Sequence, residues 1–361
     1  MFVGVSAGAF LGALLANGVS TRDLVRAVAE TETRDHPFRA SIFFTPAFGR
    51  WAAGGLRLPG RVLDALAEIA RSPREGTAWT LIDHLGRALP TALFNGEPIR
   101  EALASILSAP DRTDDFRRLP RPLFVVATDL DSGRSIRFGE QGFDHVPISR
   151  AVQASSALPG LYPPVEIDGR HYVDGILQKT MHASTALDRD VDLLLCLNPI
   201  VPVDTEGAFK EGFAESGGLA GQGLPLVLSQ TFRALIHSRL EAGLANYEPR
   251  FPEQEVLVFE PTRDDHRMFF TNIFRFSTRR DVCEHAYSTM RAQLRERRDK
   301  IGPLLERHGL ALDEDVLADL DRSPFGAPTD RARPDTDENA GSAHDRLNAL
   351  LVRLEDRLDG A

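Results

Sequence analysis

Gly4-Val5-Ser6-Ala7-Gly8 has the residue types and spacing of a nucleophile elbow, G-x-S-x-G. In such an elbow the serine sits on a sharp strand-to-helix turn. Side chains on neighbouring positions collide there, and glycine at 4 and 8 is expected to relieve that. The helix behind the serine then points free N–H groups at developing negative charge. The same pentapeptide also fits a plain strand–turn–helix corner or a helix-capping serine. Asp174-Gly175 closes a short apolar stretch, and read by itself it is a turn. A serine nucleophile needs a base. His171, His182, His237, His266 and His285 leave a Ser–His–Asp triad open, and the order Ser, Asp, His suits an α/β-hydrolase.

The flanking sequence has the elements to hold these groups. Residues 1–5 read as a strand end, and 7–16 as a helix of small and apolar residues stopped at Asn17-Gly18. A second helix starts at Ser20 or Thr21. Helical patterns are expected at 61–71 and 97–107. Leu123-Phe124-Val125-Val126-Ala127 reads as a buried strand, Asp131-Ser132-Gly133 as a turn, and Ser135 to Phe138 as a return strand. Val165-Glu166-Ile167, Asp168-Gly169 and Arg170 to Asp174 form a hairpin with a type I′ turn. Further strands are expected at 191–197 and 255–259, and a helix at about 281–300, with Asp281 and Glu284 near its start. Strands alternating with helices imply α/β: a largely parallel sheet covered on both faces.

Three blocks, in order, resemble the patatin-like phospholipases: Gly4-Val5-Ser6-Ala7-Gly8-Ala9; Ala154-Ser155-Ser156-Ala157-Leu158-Pro159-Gly160 with Tyr162-Pro163-Pro164-Val165; and Tyr172-Val173-Asp174-Gly175. Ala127 to Gly133 is similar to the family's central strand and hairpin. The resemblance spans roughly residues 1–200. It implies a three-layer α/β/α sandwich and a Ser–Asp dyad, with Ser6 as nucleophile, Asp174 as general base and an acyl-enzyme intermediate. No metal or cofactor is implied. Ile176 departs from the small residue usual after the family's Asp-Gly. The family's glycine-rich oxyanion loop lies upstream of the elbow, and this sequence opens at Met1 within the elbow strand. The expectation is a core lacking its N-terminal strand, through a late-called start or a shortened frame. Losing one oxyanion donor typically costs about 10²–10³ in rate.

Two functions are expected: a serine carboxylic ester hydrolase acting on lipid acyl esters, or a catalytically impaired lipid-binding or scaffold protein on the same fold. A net charge of −10 over 361 residues argues against nucleic acid. Cys196 and Cys283 have no metal or redox spacing. Met1 to Thr21 carries no charge, but it lacks a basic lead-in and is interrupted by glycine and Asn17, so a targeting or anchoring segment is not expected. A cytoplasmic or peripheral membrane location is. Phe38, Phe43, Phe44, Phe48 and Trp51 suit an acyl groove or ordinary packing. Phe269, Phe270, Ile273, Phe274 and Phe276, among Arg267, Arg275, Arg279 and Arg280, suit a lipid interface or a buried connector. The expected organisation is a core at 1–200 with an insertion at about 36–118, an extension at 201–321 packed on it, a disordered linker at 322–345 and a short leucine-faced helix at 346–359. No oligomeric state is implied by the sequence.

Overall fold

The structure is a computed structural model that describes residues 1–29, 40–47, 92–178, 181–210, 218–270 and 278–326. Met1–Pro324 forms one compact unit and Phe325–Ala361 a second. The strands of the first unit are β1 (Phe2–Gly4), β2 (Leu123–Asp129), β3 (Ser135–Phe138), β4 (Val165–Ile167), β5 (Arg170–Asp174), β6 (Leu193–Leu197) and β7 (Glu255–Phe259). Its principal helices are α1 (Ala7–Ala16), α2 (Thr21–Ala29), α3 (Glu97–Leu107), α4 (Ile148–Ser155), α5 (Ser184–Leu187), α6 (Leu224–Arg250), α7 (Arg279–Glu296) and α8 (Arg298–Arg307).

The apolar run expected at 123–127 becomes β2, the strand on which the site is assembled. β3 pairs antiparallel along one edge of it, from Val125↔Phe138 to Thr128↔Ser135. β1 runs parallel to β2, ending at Gly4↔Val125. β5 runs antiparallel, ending at Ala127↔Asp174. A strand has only two edges, and Val125 and Ala127 each pair with β3 on one of them. β1 and β5 must therefore share the other. Their carboxyl ends meet there, with Val126 between them, and that register brings residues 6 and 174 to one place.

The turn expected between β4 and β5 is formed by Asp168 (φ 51°) and Gly169 (φ 75°), the two positive φ angles of a type I′ hairpin. α1 ends where Asn17 caps it and Gly18 turns left-handed at φ 85°. The main core joins Ala9, Ala13 and Leu14 of α1, Leu103 and Leu107 of α3, and Val125 and Ala127 of β2 to Ala151, Val152 and Ala154 of α4.

β6 and β7 pair in parallel over their full length, Leu193↔Glu255 to Leu197↔Phe259. Alternation sends successive side chains to opposite faces. Leu194, Cys196, Val256 and Val258 pack on Ala183, Leu187 and Tyr247. Leu193, Leu257 and Phe259 pack on Leu294, Ile301 and Leu305. Helices thus cover both faces of this pair, which is the α/β/α layering. Leu195 and Leu197 of β6 are 50% and 74% exposed. In the five-stranded sheet hairpins add antiparallel strands to the parallel β1–β2 pair.

The helix expected at 281–300 is two helices. The first ends at Arg297, whose guanidinium turns to the Val258 carbonyl at 3.2 Å and lies over the Phe259 ring. α6, 27 residues long, is not foreshadowed by the sequence pattern. Leu228, Phe232 and Leu235 on it are exposed, so the usual apolar-inward periodicity is broken. The helix expected at 61–71, most of the linker and the helix at 346–359 lie outside the described residues.

Candidate active site

Ser6 stands between β1 and α1 with φ 54° and ψ −125°. Such a backbone costs a non-glycine residue roughly 1–3 kcal/mol and persists only where neighbours enforce it. They do. The Ser6 N–H donates to Ser155 Oγ at 2.9 Å. The Ser6 carbonyl accepts from the Ala9 and Phe10 N–H groups at 2.9 and 3.3 Å. A Cβ at Gly4 would overlap the Ala9 backbone, so glycine is required there. The relief expected at both glycines holds at Gly4 alone, because a Cβ at Gly8 meets nothing within 4 Å. The Ser6 side chain makes no capping bond to α1. That removes the helix-capping alternative. The Ala7 N–H, at the first position of α1, has no carbonyl four residues back inside the helix to take it.

Asp174 ends β5 and is 1% exposed. Its N–H donates to the Ala157 carbonyl at 3.1 Å, and its carbonyl accepts from the Thr128 hydroxyl at 3.2 Å. One carboxylate oxygen accepts the Ile176 N–H at 3.0 Å. Burial pushes the Asp174 carboxyl up to about 6, while the Ile176 N–H and the Ser6 hydroxyl hold it below where burial alone would put it. The Ser6 hydroxyl thus lies close enough to the Asp174 carboxyl to lower its proton affinity. A carboxylate with that affinity is still ionised at neutral pH and accepts a proton more readily than a solvated one. Ile176, the departure from the family pattern, supplies a backbone N–H, which any non-proline side chain would allow. A Cβ at Gly175 would collide with the Val126 carbonyl oxygen, so that glycine sets how closely the Asp174 turn approaches β2.

The histidines are elsewhere or differently engaged. His171 is exposed on β5. His182 is buried, and its Nε2 lies 3.1 Å from the Gly175 carbonyl. A carbonyl only accepts, so that nitrogen carries the proton. His237 Nε2 faces Glu241 at 3.3 Å. His266 meets the Asp204 carbonyl at 2.9 Å, and His285 the Asp265 carboxylate at 2.8 Å. The groups that act on the Asp174 carboxyl are the Ile176 N–H and the Ser6 hydroxyl.

Asp129, in the block from Ala127 to Gly133, has a structural task. Its carboxylate accepts from the Asp131 and Ser132 N–H groups at 3.1 and 3.3 Å and from Arg170 at 2.8 Å, fixing the β2–β3 turn to β5. Of the aromatic residues expected near lipid, Phe44 packs edge-on to Phe94, and the Tyr162 hydroxyl donates to the Phe43 carbonyl at 2.7 Å. Phe269 is buried under Arg233, which favours the connector reading for that residue. Phe38, Phe48, Trp51, Ile273, Phe274, Arg275 and Phe276 lie outside the described residues. Among the described residues no cluster of three metal-ligating side chains is found, and no helix is long and apolar enough to cross a membrane.

The patatin-like phospholipase family model matches residues 1–187, which is more than half of the chain and includes both Ser6 and Asp174. The chain belongs to this family. Curated relatives include one protein from Mycobacterium bovis and two from Mycobacterium tuberculosis, each described as an uncharacterized NTE family protein. Each is 34% identical over 147 residues, 40% of this chain and 38% of the relative. The chain therefore matches well under half the length of these relatives.

The sequence named both Ser6 and Asp174 but missed their supports. Ser155, Ala157 and Thr128 stand in blocks of the family resemblance with no task assigned, and His182 enters only as a candidate for a triad. A hydroxyl at the end of a helix of buried small residues, as at Ser155, was the available signal.

Proposed function

We propose that this patatin-like chain hydrolyses acyl ester bonds of lipids through a Ser6–Asp174 dyad. The observation that carries the reading is a serine on a strained backbone, its side chain making no capping bond, beside a buried carboxyl whose pKa is raised to about 6. In the first half-reaction Ser6 Oγ attacks the ester carbonyl carbon as Asp174 takes its proton. The Ala7 N–H and the N-terminal end of α1 stabilise the tetrahedral oxyanion. Collapse breaks the bond to the alcohol, which leaves with the proton returned by Asp174. Water, deprotonated by Asp174, then attacks the acyl-enzyme, and the fatty acid departs as Ser6 recovers its proton. No metal or cofactor enters this cycle. The substrate class is a phospholipid, a lysophospholipid or an acylglycerol, met by peripheral contact with a lipid surface.

The test is turnover of a p-nitrophenyl acyl ester by the wild type and by folded Ser6→Ala and Asp174→Asn. The reading expects kcat to fall by about 10³ or more in each, as when one member of a nucleophile–base unit is removed. Wild-type kcat in either folded variant contradicts it.

A further inference from the structure

Three segments distant in sequence meet at the junction on β2, and a single buried hydroxyl joins them. Ser155 is the last residue of α4 and is 0% exposed. Its Oγ accepts the Ser6 N–H at 2.9 Å and donates to the Val126 carbonyl at 2.6 Å. That same carbonyl oxygen is the atom that forbids a side chain at Gly175. Two residues on, the Ala157 carbonyl takes the Asp174 N–H at 3.1 Å. The stretch 155–157 therefore holds the backbone amides of both Ser6 and Asp174, one through a side chain and one through the main chain.

We propose that Ser155 is a positioning residue for the dyad, and that its hydroxyl sets the orientation of Ser6 toward Asp174. This rests on the reading of Ser6 and Asp174 as nucleophile and base. A hydroxyl has one proton to give and lone pairs to accept with, and Ser155 uses both functions here. By taking the Ser6 N–H it stabilises a backbone conformation that a serine otherwise avoids, and it leaves the adjacent Ala7 N–H as the donor facing the oxyanion. Its second bond, to Val126, references that conformation to the strand from which the Asp174 turn is spaced. The Ser155 hydroxyl meets no reacting atom; its effect passes through the Ser6 backbone. A displacement on the order of 1 Å between reacting groups costs roughly 10² in rate.

The experiment compares wild type, Ser155→Ala and the near-isosteric pair Ser155→Thr and Ser155→Val in the full chain. Active sites are counted by a fluorophosphonate probe, and kcat and KM are measured on p-nitrophenyl butyrate across pH. Ser155→Ala is expected to lower kcat per labelled site by about 10²-fold with KM little changed. The acid limb of the pH profile stays where Asp174 puts it, because Ser155 does not touch the carboxylate. Thr, which keeps the hydroxyl, is expected to exceed Val in kcat at least fivefold. Equal kcat for Thr and Val, or wild-type kcat in Ser155→Ala, overturns the proposal. So does loss of cooperative melting in both Ala and Val variants, which would assign Ser155 to folding instead. A Ser6→Ala control separates the two levels. If it retains activity the dyad reading fails, whereas a dead Ser6→Ala beside an unimpaired Ser155→Ala removes the role of Ser155 alone.

Discussion

At Asp174 the burial that suits the carboxylate to the proposed role of base also makes it costly to the fold. Burial raises its pKa from 3.8 to about 6, so the folded chain binds that proton more tightly than the unfolded chain does. The stability this gives is fully present below about 3.8 and is lost as the pH rises through 6; above that the ionised group is a standing cost of about 3 kcal/mol. Asp174→Asn is therefore expected to be more stable than wild type at pH 8, by up to about 3 kcal/mol, with the advantage vanishing near pH 4. Chemical denaturation at the two pH values measures it, and a variant less stable than wild type at pH 8 would contradict the burial argument. Activity runs the other way. In the proposed dyad only the ionised carboxylate can accept the Ser6 proton, so kcat is expected to rise with pH through an apparent pKa near 6. A profile flat from pH 5 to 8 would show that a different group is the base.

Among elements, the shared edge of β2 is what converts two local motifs into a site. β1 delivers Ser6 and β5 delivers Asp174 only because Gly4 pairs with Val125 while Asp174 pairs with Ala127. Gly175→Ala tests this junction directly. The added carbon meets the Val126 carbonyl oxygen, so the turn carrying Asp174 must retreat. A loss of about 1–3 kcal/mol in stability and of about 10² in kcat is expected, read from the melting temperature and ester turnover of the same preparation. Unchanged values for both would mean that the turn is not held by β2. Such elements were legible in the sequence where local chemistry decides them. The type I′ turn at Asp168-Gly169, the stop at Asn17-Gly18 and the helix at Glu97–Leu107 are all set by neighbouring residues. The edge-sharing was not legible, because strand register depends on partners distant in sequence, Gly4 with Val125 and Ala127 with Asp174. Nor was the bond between Ser6 and Ser155, 149 residues apart. α6 escaped because its exposed leucines and Phe232 mask the periodicity, and the break at Arg297 because it reflects a contact with Val258 on β7.

On the scale of the whole chain, a net charge of −10 bears on which lipid surfaces are approached. Charges of like sign repel over a Debye length of about 30 Å at 0.01 M salt and about 8 Å at 0.15 M. Hydrolysis of the same lipid is expected to be faster in zwitterionic than in anionic vesicles at low salt, with the gap narrowing as salt is added. A preference for anionic vesicles would mean that a local basic surface outweighs the total charge. None of this matters unless Ser6 is the nucleophile, and that is open to one direct measurement. The chain is treated with a fluorophosphonate and the adduct is located by peptide mass spectrometry, in wild type, Ser6→Ala and Asp174→Asn. The dyad account predicts one adduct, on the peptide holding Ser6, absent in Ser6→Ala and formed about 10³-fold more slowly in Asp174→Asn. An adduct on any other residue, or labelling of Asp174→Asn at the wild-type rate, would contradict it.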